Sequence, residues 1–128
     1  MIRLLFCGFL LFAFGGEANA FQPQGVYRGK WVSNSTGHQG PMRVRIRPRR
    51  DGAYNARFTG RFAKVIPFSI RTTMTPVSTY GSQTTLVAER RIPIFGSYRM
   101  RATVMPSSLN ANYDATVDQG YFMMRRLR

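Results

Sequence analysis

The chain has 128 residues, with 19 Lys and Arg against 5 Asp and Glu, which gives a formal net charge of +14. One cysteine and one histidine offer little for a disulfide framework, a thiol nucleophile or a zinc site. A charge this large on so small a chain attracts polyanions and repels other copies of the molecule.

The first 20 residues have the three parts of a secretory signal peptide. Arg3 supplies the basic start, an apolar run covers residues 4–14, and Ala18-Asn19-Ala20 has the small residues of a cleavage site. The apolar run is too short for a membrane-spanning helix, which needs about 20 such residues. We therefore expect cleavage after Ala20 and an exported product, located in the periplasm, the cell envelope or the extracellular space.

Residues 21–128 are expected to form one β domain, because a chain of this length builds a single core. Cys7 lies within the signal, so this domain contains no thiol. Lys30 and Lys64 are the only lysines, and arginine supplies the remaining positive charge. A guanidinium suits carboxylate, sulfate or phosphate, whereas a GC-rich genome favours arginine without a functional reason. Genome composition does not explain the scarcity of acidic residues.

Apolar and polar residues alternate along most of this domain, and Gly, Pro, Asn and Asp separate the alternating segments. This pattern is typical of an all-β antiparallel meander. We predict up to eight strands, near residues 26–34, 41–49, 53–62, 65–75, 83–90, 94–104, 109–117 and 121–127. A meander loses its exposed edges by closing into an up-and-down barrel, and a two-sheet β-sandwich is the alternative.

The second and third strands form the clearest hairpin. Facing residues of an antiparallel pair share one face of the sheet, so the apolar positions of the two strands must oppose one another. A three-residue loop with Gly52 in the left-handed conformation meets this condition, and it places Ile46 opposite Ala56 and Arg45 opposite Arg57. A two-residue loop would place Ile46 opposite Arg57 and is excluded.

The sixth and seventh strands pair by the same argument. A loop at residues 105–108 places Ala102 opposite Ala111 on the apolar face and Arg99 opposite Asp114 on the polar face.

An arginine-rich strand face is the leading candidate for a binding surface. Arginines alternate with apolar residues in three neighbouring strands and should share the solvent side, at Arg43, Arg45, Arg47, Arg57, Arg61 and Arg71. Like charges directly opposite destabilise a sheet, so something should offset their repulsion. Counter-ions in solvent are one explanation, because exposed charges are screened within about 10 Å at ordinary salt. A polyanion lying across the face is the other.

The aromatic residues of these strands alternate onto the opposite, buried face. Nucleic acid is therefore disfavoured as a partner, because single strands stack on exposed aromatic side chains. An anionic or sulfated polysaccharide, or another envelope polyanion, suits an exported protein better.

The segment around the only histidine is the most distinctive loop, with Thr36, Gly37, His38 and Gly40 as its marked residues. Two glycines in this segment indicate a tight turn. His38 is a candidate for ligand contact or acid–base chemistry, and the alternative is a histidine that hydrogen-bonds within its own loop.

Catalysis and metal binding find little support in the sequence. The four acidic residues after the signal each have a structural explanation, in a turn or beside arginine: Asp51, Glu89, Asp114 and Asp118. No paired acid and base and no cluster of metal ligands is evident. We therefore predict no catalytic residues, no metal and no cofactor.

Gly29-Lys30-Trp31, in the first predicted strand, resembles the Gly-x-Trp that opens small calycin-like barrels such as lipocalins and avidins. The resemblance implies a barrel in which a basic residue near the last strand, Arg125 or Arg126, packs against that tryptophan. It also implies an alternative function, a carrier that holds a small apolar ligand in the barrel interior. Trp31 is otherwise interpreted as a core aromatic residue that closes one end of the barrel.

Residues 35–41, together with Gly60-Arg61-Phe62 and Pro67-Phe68, are similar to uncharacterised exported proteins of planctomycete-type bacteria. That resemblance implies no particular activity.

Together these features predict an exported, non-enzymatic binding or structural domain that contacts an anionic envelope polymer or surface through its arginine-rich face. We expect the cleaved domain not to span a membrane. A barrel in an outer membrane would confine most of the arginines to a narrow lumen without acidic partners, which is costly.

Overall fold

The computed structural model describes residues 21–62, 66–92, 96–116 and 118–127, so the predicted signal peptide lies outside the described residues. The strands are β1 (Gly25–Ser33), β2 (Gln39–Pro48), β3 (Tyr54–Phe62), β4 (Ile66–Tyr80), β5 (Gln83–Ile92), β6 (Gly96–Met105), β7 (Ser108–Ala115) and β8 (Gln119–Arg126). Each strand pairs antiparallel with the next, and β8 pairs with β1. The predicted eight-stranded meander barrel is confirmed, and the sandwich alternative is wrong.

Both predicted hairpin registers are confirmed. In β2 and β3, Arg45 pairs with Arg57, and the turn is closed by the Arg49 N–H, which donates to the Ala53 carbonyl at 2.8 Å. Gly52 has a φ of 89°, the left-handed conformation that this turn requires. In β6 and β7, Arg99 pairs with Asp114.

Side chains from all eight strands fill the barrel interior. The largest of the fully buried residues are Tyr27, Phe58, Ile46, Met74 and Leu86. The Phe122 ring lies 5.6 Å from the Phe58 ring and 5.0 Å from the Tyr113 ring, centroid to centroid. The described residues include no helix long and apolar enough to cross a membrane.

A glycine on the inner face allows the wall to bend. A Cβ atom on Gly60 would lie 2.5 Å from the Pro41 carbonyl oxygen and 2.7 Å from the Phe68 ring. Only glycine fits at such a close approach, and inward glycines give a small barrel the coiling that it needs to close.

The chain before β1 covers one end of the barrel, and Arg126 holds it there. The Arg126 guanidinium donates to the Gln22 and Gln24 carbonyl oxygens and to the Tyr27 hydroxyl. Its central carbon lies 5.6 Å from the Phe21 ring centroid and 5.5 Å from that of Tyr27. These are cation–π distances.

The arginine that the calycin resemblance implied therefore packs elsewhere. Arg126 pairs across the sheet with Tyr27, whereas Trp31 pairs with Phe122, further along β1. Arg125 is exposed on the outer face.

The fourth strand is longer than the sequence indicated, since it continues beyond residue 75 to Tyr80. Residues 75–80 are all exposed and include Pro76, so their pattern gives no sign of a buried face. They pair with β5 across a bulge between Pro76 and Ser78, and a bulge adds the local bend needed here.

Candidate functional site

The six arginines selected from the sequence all have exposed positions on β2, β3 and β4. Arg45 pairs with Arg57, and Arg57 pairs with Arg71, so three cationic residues stand side by side across three strands. Neighbouring strands are about 4.8 Å apart. We name this set, Arg43, Arg45, Arg47, Arg57, Arg61 and Arg71, the arginine face.

Barrel closure extends this cationic surface in a way that the sequence reasoning missed. Arg28 of β1 pairs with Arg43 on one side and with Arg125 of β8 on the other. All three are exposed. Arg28 has the same alternating pattern as the other arginines, but the position of Arg125 beside it depends on the pairing of the first strand with the last.

The strands on this side of the barrel contain no acidic residues, and Asp51 lies in the turn between β2 and β3. The sequences of β1 to β4 and of β8 contain no Asp or Glu. On the other side, Arg99 of β6 pairs with Glu89 of β5 and with Asp114 of β7. One side of the barrel therefore carries unbalanced positive charge, and the other carries both signs.

The arginine face is held by few bonds of its own. Arg57 Nε donates to Ser69 Oγ at 3.3 Å. At the edge of the face, Arg49 Nε lies 3.2 Å from Asp51 Oδ1. The Ala53 backbone N–H, and then Arg49, hold the pKa of Asp51 below its usual value. This ion pair fixes the turn and leaves the strand arginines available.

The large aromatic side chains that the structure describes lie away from this face. Phe58 and Phe122 are buried, and Trp31 is half-buried against the core. Tyr80 is 86% exposed, but it is the last residue of β4, nine residues beyond Arg71.

Trp31 packs over the strand beside it. Its indole Nε1 donates to the Arg61 carbonyl at 3.0 Å, which takes the ring across Gly40 of β2. A Cβ atom on Gly40 would lie 2.8 Å from that indole nitrogen. Gly40 therefore makes room for Trp31, and it is separate from the turn formed by Thr36, Gly37 and His38.

That turn is held by a hydrogen-bond network centred on Asp118. Ser33 Oγ donates to Asp118 Oδ1 at 2.6 Å, and Tyr113 OH donates to Asp118 Oδ2 at 2.8 Å. Ser33 Oγ in turn accepts from the Thr36 N–H at 3.1 Å and from the Thr36 hydroxyl at 3.0 Å. Burial, and then the Asp118 carboxylate, raise the pKa of Tyr113.

His38 takes part in the turn through its backbone. Its N–H donates to Thr36 Oγ1 at 3.2 Å, and its carbonyl accepts from the Ser33 N–H at 2.8 Å. The residue itself is exposed, and Gly37 has a φ of 80°. In the part of the chain that the structure describes, no three His, Cys, Asp or Glu residues form a group that could hold a metal ion.

Comparison with known proteins gives a likeness of fold alone. No family model matches the chain, and no curated protein matches it. Among solved structures, it is similar to a chain described as a de novo designed fluorescence-activating β-barrel, with 18% identity and a TM-score of 0.57. The match covers 90% of this chain and 100% of the designed one. The protein is thus similar in architecture to a small β-barrel.

Proposed function

We propose that the protein is an exported, non-enzymatic binding or structural domain whose arginine face contacts an anionic envelope polymer or surface. The observation that carries the proposal is the row Arg45, Arg57 and Arg71, on strands that contain no acidic residue. The signal-like first 20 residues support the envelope as the location.

The charge arrangement favours a polymer over scattered counter-ions. Three guanidiniums at strand spacing match a chain that carries repeated carboxylates or sulfates, and each guanidinium can donate two parallel hydrogen bonds to one anionic group. A bound polyanion would also relieve the repulsion between directly paired arginines. The absence of large exposed aromatic residues from the row favours such a polymer over single-stranded nucleic acid.

The test is a binding array of envelope polyanions, including acidic and sulfated polysaccharides, against the domain at two salt concentrations. We expect binding that weakens steeply with salt, by tenfold or more between about 50 and about 200 mM for three neutralised charges. The triple variant Arg45→Gln, Arg57→Gln, Arg71→Gln should lose most of the binding.

A matched control removes the same charge from the other side of the barrel. Arg91→Gln, Arg99→Gln and Arg101→Gln change three exposed arginines on β5 and β6. This variant should retain binding within about threefold. It loses the same long-range attraction as the first triple variant, but it keeps the arginines that contact the polymer. Equal losses in the two triple variants would reduce the effect to net charge and overturn the proposed face.

A second candidate function is a calycin-like carrier of a small apolar ligand inside the barrel. It is favoured by the likeness to a barrel described as fluorescence-activating. The packed interior residues, such as Tyr27, Phe58 and Met74, would have to move to admit a ligand. Uptake of an apolar fluorescent probe, competed by long-chain ligands and unaffected by salt, would support the carrier; a probe that stays in solvent would contradict it.

A further inference from the structure

The hydrogen-bonded ladder between β4 and β5 ends partway along the barrel wall. It runs from the pair Tyr80–Gln83, at the connecting turn, to the pair Thr75–Val87. Beyond that point, among the described residues, β4 pairs only with β3 and β5 pairs only with β6. Backbone N–H and C=O groups along the separated edges need other partners. The wall therefore has a polar gap, which we name the β4–β5 gap.

Arg90 lies at this gap. Residues 86 and 88 of β5 are buried inside the barrel, and side chains alternate along a strand, so residue 90 begins on the same inner face. Its side chain is nevertheless exposed, and its Nη1 donates to the Arg71 carbonyl of β4. A guanidinium carries five N–H donors, and this bond uses one of them.

Tyr98 stands directly opposite Arg90 in the pairing of β5 with β6. It is only 8% exposed, and its hydroxyl makes no hydrogen bond of normal geometry with the described residues, although the Thr72 hydroxyl is close enough to interact with it. Leaving a buried hydroxyl unpaired costs about 1–3 kcal/mol. Burial raises the pKa of Tyr98, and the neighbouring Thr72 hydroxyl and Arg90 charge lower it by less. The hydroxyl therefore keeps its proton at neutral pH. It is closed off from solvent, so it can donate only to a ligand that displaces the side chains covering it.

The space around these two residues is large enough for a small molecule. A cavity of about 630 Å³, open to solvent and lined from β5, β6 and the end of β7, borders Arg90, Tyr98, Ser97 and Ala115. A second cavity, of about 280 Å³, borders Arg90 from the β4 side, at Ser69, Ile70 and Arg71. Ligand pockets in proteins have volumes of about 300–1,000 Å³. Arg90 borders both cavities and lies between them.

We propose that the β4–β5 gap binds a small carboxylate-bearing molecule, with Arg90 and the Tyr98 hydroxyl as the groups that hold the carboxylate. A planar guanidinium and a protonated phenol supply donors that complement the two oxygens of one carboxylate. This site is distinct from the arginine face, since it involves Arg71 only through its backbone.

The rim of the larger cavity favours a carboxylate over a phosphate. Glu89 and Asp114 both border it, and each pairs across the sheet with Arg99. Arg90, Arg91 and Arg99 line the same cavity, so three positive charges against two negative ones leave a net positive charge of one. That net charge matches a singly charged carboxylate better than a phosphate dianion. The oxygens of Glu89 and Asp114 can accept hydrogen bonds from hydroxyl groups elsewhere on the ligand.

The experiment measures binding of short monocarboxylates, from acetate to hexanoate, and of inorganic phosphate by calorimetry and by the shift in thermal unfolding. For the best carboxylate we expect a dissociation constant of about 1 mM or lower. Arg90→Gln should weaken it by about tenfold or more, because it removes a charged hydrogen-bond donor. Arg101→Gln is the matched control, an exposed arginine of β6 with the same change in charge, and should bind within about twofold of the parent.

Tyr98→Phe separates a binding role from a purely structural one. Without ligand, the variant should be as stable as the parent or more stable, because an unpaired buried hydroxyl is removed. Its stabilisation by the carboxylate should fall, with binding about fivefold weaker. Carboxylate binding that survives Arg90→Gln, phosphate binding tighter than carboxylate binding, or no binding by any probe would each overturn the proposal.

Discussion

Arg57 lies directly between Arg45 and Arg71, so one exposed arginine has a like charge as its cross-strand partner on both sides. Replacement by glutamine should stabilise the fold at low salt by about 0.5 kcal/mol, because directly opposed like charges destabilise a sheet. Urea unfolding at low and high salt measures the gain, which should shrink as salt screens the repulsion. Arg47→Gln is the control, since Arg47 pairs with Asn55 and its removal should change stability little.

Asp118 should be the most sensitive acidic residue in the domain. Its carboxylate accepts hydrogen bonds from the Ser33 hydroxyl, the Tyr113 hydroxyl and the Gln119 N–H. Asp118→Asn replaces one acceptor oxygen with a donor and should cost about 2 kcal/mol. Asp114→Asn, on an exposed strand position, should stay within about 0.5 kcal/mol of the parent. Equal unfolding midpoints for the two variants would contradict the role assigned to the network.

Alkaline pH should destabilise the protein through its buried tyrosines. Burial raises the pKa of Tyr27, Tyr98 and Tyr113 above the ordinary value of 10.0. A group whose pKa is raised in the folded state stabilises that state in full while the pH is below the pKa of the unfolded chain. This stabilisation is lost as the pH rises through and above about 10. Unfolding free energy should therefore decline with pH from about 9.5 upward.

Tyr113→Phe tests which tyrosine causes this decline. The variant should be less stable at neutral pH, because it loses the bond to Asp118, and should show a shallower fall at high pH. Tyr80→Phe, which changes an exposed residue, serves as the control. A slope as steep in Tyr113→Phe as in the parent would show that the ionisation of Tyr113 is not coupled to folding.

Gly40→Ala should loosen the packing of the only tryptophan. The added methyl group would meet the Trp31 indole nitrogen and the Arg61 carbonyl, so the hydrogen bond between them must lengthen or break. We expect a loss of about 2 kcal/mol and a red shift of tryptophan fluorescence. The stability of Trp31→Phe is the reference, because this variant also lacks the bond to the Arg61 carbonyl, which should contribute about 1 kcal/mol. An unchanged emission spectrum in Gly40→Ala would contradict this packing.

The hairpins were predictable because burial imposes one register. Once Ile46 and Ala56 must face the same interior, Arg45 and Arg57 have to be neighbours, and the barrel reproduces this pairing. The end of β4 was not predictable in this way. Its last residues, from Thr75 to Tyr80, are exposed, and their pairing depends on a bulge that leaves no alternating pattern.

Features that join distant parts of the chain were also missed. Ser33 and Asp118 are 85 residues apart and meet only after the barrel closes. Arg90 lies in the charged segment Glu89-Arg90-Arg91, which the sequence alone presents as a solvent-exposed stretch. It becomes a candidate ligand contact only because the pairing of β4 with β5 ends at Thr75–Val87. The calycin resemblance implied that Arg125 or Arg126 packs beside Trp31. Arg126 instead packs against Tyr27, because the register of β1 with β8 sets that neighbour.

The uneven distribution of acidic residues gives the barrel a lasting electric dipole across its width. The more positive side is formed by β1 to β4, and the less positive side lies near Glu89 and Asp114. Near a negatively charged surface, such a molecule is turned before it makes contact, since the field of the whole protein orients it during approach. It would settle with β6 and β7 directed outward, so the larger cavity beside Tyr98 would stay open to the surrounding solution.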